Sequence, residues 1–256
     1  GSDYSPYLQH MGIASLNIGF GGESGGGSYH SIFDSYDHYK RFGDPNFAYG
    51  VTLAKVMGRS TLRLANADIL PFRFETFVNH VGVYVEEIEK LVEDTRTSTE
   101  KHNKLVKSGA FKLALDPTES ILAPKAKEAV PFISFAVVKN AMVDLVAAAK
   151  DADTAVASAE ASAALNVAIA QLERAMASDK GLPRRPWYRH QVYAPGFYTG
   201  YGVKTLPGIR EAAEELKWDE MNQQMIQVAE MLKAVTNAMN TIKNAASMGE
   251  VKSPNR

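Results

Sequence analysis

Few residues in this chain have the types and spacing for chemistry, and the clearest are Tyr29 and His30, which close the glycine-rich run GGESGGGS. An imidazole can bind a metal or move a proton, and it needs a partner on its second nitrogen to fix the tautomer. Asp34, Asp37 and Asp44 follow closely enough to serve. A phenol beside the imidazole can donate a hydrogen bond to a developing oxyanion. One histidine is not a metal site, because zinc takes three or four ligands. Spacing alone leaves two readings open: a ligand with its electrophilic tyrosine, or a hydrogen-bonded loop histidine beside a packed aromatic.

The other histidines offer less. His10 and His38 have no distinguishing neighbours, His80 sits beside an apolar helical stripe, and His102 follows a run of charges and is expected to be solvated. In GLPRRPWYRHQVYAP, the residues Arg184, Arg185, Arg189 and His190 alternate with Trp187 and Tyr188. Such interleaving can bind single-stranded nucleic acid. The net charge of -1 gives no general support for that, so these arginines are expected to tie an ordered loop to carboxylates, and no nucleic-acid partner is expected. The glycine run lacks the Lys-Ser/Thr of a phosphate-binding loop, and neither HExxH nor GxSxG occurs. No self-sufficient hydrolase is visible.

The elements that must position these residues follow from composition. The 256 residues, 45% hydrophobic and 22% charged, suit one large domain or two ordinary ones. With no cysteine there is no disulfide, thiolate nucleophile or cysteine metal site. No run approaches the roughly 18–20 apolar residues of a membrane span, so no membrane segment is expected in this chain. The opening GSDYSPYLQHMGIASLNIGF reads as the middle of a domain, which predicts a longer parent protein. In residues 1–68, MGIASLNIGF predicts a loop and a short strand through Ile13, Leu16 and Ile18. PNFAYGVTLAKVMGRSTLRLAN predicts a helix near Pro45. Strand, loop and helix in that order suit the end of an α/β domain.

From residue 69 to 256 the pattern is helical. Phe74, Phe77, Val78, Val81, Val85, Ile88 and Val92 form one stripe. The alanine-rich stretch 129–177 has high helix propensity, with a break expected between Ser158 and Ser162. Met221, Met225, Val228, Leu232, Val235, Met239 and Ile242 alternate steps of four and three, a heptad-like seam fit for a core or a subunit interface. About four long helices are expected after Pro71, giving a mainly α fold: a four-helix bundle preceded by a piece of an α/β domain. The tail GEVKSPNR is expected to fray.

Taken together, GSDYSPYLQHMGIAS, YHSIFDSYDHYKRFGDPNFAYG, LANADILPF, GLPRRPWYRHQVYAP and LPGIREA occur in an order and spacing that resemble the C-terminal third of the glutamate carboxypeptidase II and transferrin receptor family. The resemblance covers nearly the whole chain and is weaker in the alanine-rich middle. It implies a protease-like domain ending near residue 68 and a transferrin-receptor-like helical dimerisation domain over 69–256, within a type II membrane or lumenal glycoprotein, vacuolar or extracellular, that forms homodimers. It implies a parent enzyme with two zinc ions bridged by water or hydroxide, an upstream glutamate as general base, and a peptide substrate. His30 matches the last zinc ligand and Tyr29 the tyrosine that hydrogen-bonds the tetrahedral intermediate. Gly1 and Ser2 match a substrate-contacting loop, and Tyr201 a tyrosine that holds the substrate's terminal carboxylate. The isolated chain, holding one ligand, is expected to carry no zinc.

Several positions depart from the family pattern. Gly200 stands where a lysine is expected, and Asn17 and Gly19 where arginines of an acidic-substrate pocket are expected. A less acidic peptide substrate is the expectation. The resemblance also covers receptors without zinc chemistry, so a non-catalytic dimerisation or receptor module is the alternative. The retained His30 and Tyr29 favour the enzyme.

Overall fold

The computed structural model describes residues 2–21, 28–116, 118 and 122–248. Gly1, the glycine run at 22–27 and the tail from 249 onward lie outside the described residues. The chain forms two compact units, one of residues 15–72 and one of residues 1–14 with 73–256.

In the smaller unit, helix α1 (Ala48–Ala65) is preceded by short helical turns over Tyr36–His38 and Tyr39–Gly43. The strand expected through Ile13, Leu16 and Ile18 is not formed, and residues 12–20 carry no regular element. A strand needs a neighbour to take its backbone hydrogen bonds, and none is present there among the described residues. Helix α1 buries none of its residues within the unit. Its start is held by Asp44, whose carboxylate accepts from Gly50 N at 2.8 Å and from the Tyr39 hydroxyl at 3.2 Å. Burial pushes the Asp44 pKa up, but the Gly50, Tyr49 and Ala48 amides and the Tyr39 hydroxyl outweigh it and hold it below the ordinary 3.8.

The larger unit is a helical bundle. Its long members are α2 (Phe74–Lys107), α3 (Ala136–Ser158) and α6 (Trp218–Met248). The fourth position is short: α4 (Ala163–Gln171) runs into a 3₁₀ turn over Leu172–Met176. The break falls where the sequence placed it. Helix α3 ends at Ser158, and the Ser162 hydroxyl caps α4 by accepting from Leu165 N at 3.1 Å. A hairpin of β1 (Tyr193–Pro195) and β2 (Val203–Thr205) pairs Ala194 with Lys204 in an antiparallel register, and α5 (Pro207–Glu214) follows it.

Helix α6 is the centre, packing against α3, α4, α5 and the 3₁₀ turn. All seven seam residues, Met221 to Ile242, are buried inside this one chain. The facing side of α3 is lined by Ala141, Ala148, Ala149 and Ala152, all buried, whose small side chains let the two axes approach closely. On α2, Phe74, Val78, Val81, Val85, Ile88 and Val92 are buried, and Phe77 lies at the edge. Asp153 of α3 accepts from Phe74 N at 3.2 Å and Glu75 N at 2.8 Å, capping α2 across the bundle. Among the described residues, no helix is long and apolar enough to cross a membrane.

Leu232→Ala should cost about 2–5 kcal/mol in denaturant unfolding, while Ile226→Ala on the exposed side of α6 should change stability by less than about 0.5 kcal/mol. For Asp44, the folded pKa is depressed, so its contribution is complete above the ordinary 3.8 and is lost as pH falls through the lower folded value. Asp44→Asn should therefore speed hydrogen exchange at the Gly50 amide at neutral pH, with the difference from the parent chain vanishing in strong acid.

Candidate functional site

Two of the expected substrate contacts, Ser2 and Tyr201, line one cleft of about 430 Å³ in the larger unit. Asp3, Ser5, Tyr188, Pro195 and Gly200 complete it. Each side comes from a turn whose geometry the sequence dictates. Ser2 N donates to Ser5 Oγ at 3.0 Å, and Ser5 N donates back to Ser2 O at 2.9 Å, folding the first residues before the π-helical turn Pro6–His10. On the other side, the loop joining β1 to β2 is closed by Gly196 N to Gly202 O at 3.0 Å. Gly200 sits in this loop at φ +56°, a left-handed conformation that glycine adopts without cost and a lysine would not.

The loop is anchored from behind by the GLPRRPWYRH block. Glu211 of α5 accepts from Phe197 N at 2.5 Å and pairs with Arg185 at 2.5 Å, both charged side chains being buried. The neighbouring Arg184 bonds Glu220 with one nitrogen at 3.0 and 2.8 Å and approaches Glu215 at 3.5 Å. The hydrogen bond to Glu220 raises the Arg184 pKa, against the effect of burial. Arg189 pairs with Asp179, and His190 Nε2 lies 2.9 Å from Glu173. His190 Nδ1 accepts from Val192 N and Tyr193 N, so Nε2 carries the proton donated to Glu173. All four basic residues are thus spent on carboxylates of this chain. Gly181 permits the tight course of the block: a Cβ there would lie 2.2 Å from Pro186 O.

The same block clasps the start of the chain. Gln9 O accepts from Arg189 N at 2.8 Å and from His190 N at 3.1 Å. The His10 ring stacks on Trp187 with centroids 4.7 Å apart, and its Nδ1 lies 2.7 Å from Trp187 O. This is the context for His10 that spacing did not give. His102, expected to be solvated, is half-buried, with its Nε2 2.9 Å from Lys125 O.

Tyr29 and His30 lie in the smaller unit. They occupy the tip of a turn closed by Ser31 N to Ser28 O at 3.0 Å, with the Ser31 hydroxyl reinforcing it at 2.7 Å. His30 has φ +59°, and its ring stacks on Tyr29 with centroids 3.9 Å apart. Both side chains are exposed. Phe47, Arg184, Leu206 and Leu216 share the left-handed conformation of His30. The glycine run leading to the pair, and Gly1, lie outside the described residues.

Among the described residues, no three His, Asp or Glu side chains come together as a metal site. His30 alone would supply one of the three or four ligands that zinc takes. Sequence reasoning missed Asp3, Ser5 and Tyr188 in the cleft and the Arg185–Glu211 pair behind it. Tyr188 and Arg185 lie in the basic and aromatic block it had singled out. Their partners come from chain positions too distant for spacing to connect.

The fold and the cleft define a mainly α helical module with a cleft at the edge of its hairpin. Residues 133–240 match the family model of the transferrin receptor-like dimerisation domain. Relatives include a probable glutamate carboxypeptidase of Arabidopsis thaliana, LAMP1, 29% identical over 91% of this chain and 30% of that protein. A probable glutamate carboxypeptidase of Arthroderma benhamiae is 31% identical over 84% of this chain and 26% of its own length. Aminopeptidase NAALADL1 of Rattus norvegicus is 23% identical over 88% of this chain and 28% of its own length. The chain belongs to the glutamate carboxypeptidase and transferrin receptor family. It spans 30% or less of the length of these relatives.

Calorimetric titration of the isolated chain with zinc should show no tight stoichiometric uptake, since one imidazole cannot replace several ligands. A tight one-to-one isotherm would contradict this.

Proposed function

We propose that this chain is the C-terminal part of a zinc-dependent exopeptidase. It contributes one zinc ligand, His30, an oxyanion donor, Tyr29, one edge of a substrate cleft, and a domain through which two copies pair. The observation that carries this reading is the cleft. It gathers Ser2 and Tyr201, to which the family resemblance assigns substrate contact, with Gly200, which stands where the family's lysine is expected. The relatives' names, carboxypeptidase and aminopeptidase, support peptide hydrolysis as the reaction.

This chain's own residues would bind and orient. Tyr201 lines the cleft together with Ser2. Tyr29 would donate its phenolic proton in a hydrogen bond to the oxygen that gains charge as the scissile carbonyl becomes tetrahedral. The only formal charge among the cleft-lining residues is Asp3. With glycine at position 200 and no arginine at 17 or 19, nothing basic in these places would hold an acidic side chain, which supports a less acidic peptide as substrate.

A second reading, a non-catalytic dimerisation module, draws on the helical unit's having a complete core of its own. The two separate in the full-length protein. Tyr29→Phe should lower kcat about 10²–10³-fold with KM little changed, as for loss of one oxyanion donor. His30→Ala should remove both zinc and peptide hydrolysis. Unchanged metal content and turnover in His30→Ala would overturn the enzymatic reading and leave the module.

A further inference from the structure

Asp3 stands apart among the charged residues near the cleft. It is exposed and lines the cleft. The cations on the elements that build the cleft are committed elsewhere: Arg185 to Glu211, Arg189 to Asp179, Lys204 to Glu214 and Arg210 to Glu87. Arg184 is held by Glu220 and Glu215. Among the described residues, no cation pairs with Asp3. The segment that carries it is pinned on both sides. Ser2 and Ser5 exchange hydrogen bonds across it, and the half-buried Tyr4 is bonded through its side chain to Tyr193 of β1. The rest of the lining is aromatic or uncharged. Tyr188 meets Trp187 edge to face at 5.0 Å, and Trp187 in turn stacks on His10, so the Tyr188 ring is held before any ligand arrives. Tyr201 is carried by the hairpin loop, which Gly202 N closes onto Thr199 O at 2.9 Å.

We propose that the cleft takes the basic side chain of a peptide, with its ammonium or guanidinium at Asp3 and its stem against Tyr188 and Tyr201. The proposal rests on the peptidase reading above and names the substrate class of that site. Charge selects the ligand. A carboxylate at a cleft attracts a cation and repels an acidic side chain, and no cation of this chain offsets it. The aromatic lining acts in the same direction, because a cation is drawn to the negative face of a ring. Lysine and arginine suit both, since their apolar stems cover ring and proline surface while the charged head stays wet beside the carboxylate. Gly200 bears on the same sign. A lysine at that position would line the cleft with Asp3 and supply an internal partner for it, whereas glycine leaves the carboxylate to the ligand. A neutral side chain would gain the apolar contact and leave Asp3 solvated as before. At about 430 Å³ the cleft falls within the roughly 300–1,000 Å³ of small-ligand pockets.

The test is an NMR titration of the chain with three probes: N-acetyl-lysine amide, N-acetyl-norleucine amide, and norleucine amide, whose one charge is its α-ammonium. The lysine probe should shift the Ser2, Tyr188 and Tyr201 amides and bind about five- to tenfold more tightly than N-acetyl-norleucine amide. Asp3→Asn, which keeps the shape of the side chain, should cut that margin about two- to fivefold, and raising the ionic strength should cut it in the parent chain. Equal binding of the two acetylated probes, or an unchanged margin in Asp3→Asn, overturns the proposal. Norleucine amide binding as tightly as the lysine probe also overturns it, since the cation held would then be a peptide's free end. Turnover separates this site from the reading beneath it. The full-length protein should hydrolyse peptides ending in lysine with a higher kcat/KM than those ending in norleucine, with glutamate poorest. Selective binding of the lysine probe without hydrolysis of any peptide keeps the cation site and overturns the peptidase reading.

Discussion

Helix α6 must satisfy several neighbours at once, and that requirement organises the larger unit. Besides the seam residues it buries Ala229, Met231 and Ala246, and it packs against α3, α4, α5 and the 3₁₀ turn. Methionine suits this position because an unbranched, polarizable side chain can fill gaps between partners that meet at different angles. The alanines of α3 make the complementary adjustment. They give up side-chain volume so that two long helices approach closely along their length, and the apolar area lost per residue is offset by close packing over many turns. The Asp153 carboxylate, which caps α2 from the flank of α3, then fixes the register of the third long helix.

The cleft depends on a second constraint, a buried ion pair. Removing Arg185 and Glu211 from water is costly, and their attraction offsets this only when geometry is good and the remaining polar atoms are used. Glu211 goes part of the way by also accepting the Phe197 amide, while Arg185 Nε and Nη1 are buried without a hydrogen-bond partner among the described residues. The pair thereby ties helix α5 and the arginine-proline block to the loop that carries Gly200 and Tyr201. The cleft edge is a surface feature, but its position is set from the interior. The two cation–π contacts of Arg184 and Arg185 with the Phe197 ring, at 5.5 and 6.0 Å, cover the same joint from its apolar side.

What the sequence made legible was local. The stripe of α2, the seam of α6 and the break before Ser162 were readable because each is a repeat or a cap within a few residues. The fourth helix was overestimated, since alanine propensity does not say where Leu172–Met176 tightens into a 3₁₀ turn. The strand through Ile13 and Ile18 failed for the opposite reason: alternation marks a face, but only a neighbouring strand makes a strand. Tyr29 and His30 were picked out by their approach sequence, and they stack on each other in an exposed turn. The cleft was legible only through family resemblance, because Ser2 and Tyr201 share no local pattern.

The clasp between the first residues and the arginine-proline block has a consequence for how the protein is made. His10 and Trp187 are 177 residues apart, and residues 15–72 form a separate unit between the first strand of contacts and the helices. A ribosome adding about 5–20 residues per second would need roughly 9–35 s after His10 to deliver its stacking partner. During that interval Gln9, which ends fully buried, has no backbone amides from the block to receive. The bundle can form from contacts between successive helices, but closing a loop this long carries its entropy cost at the end. The cleft edge at Ser2 therefore waits for the block at 181–190, and a chaperone holding the nascent chain would meet this segment waiting.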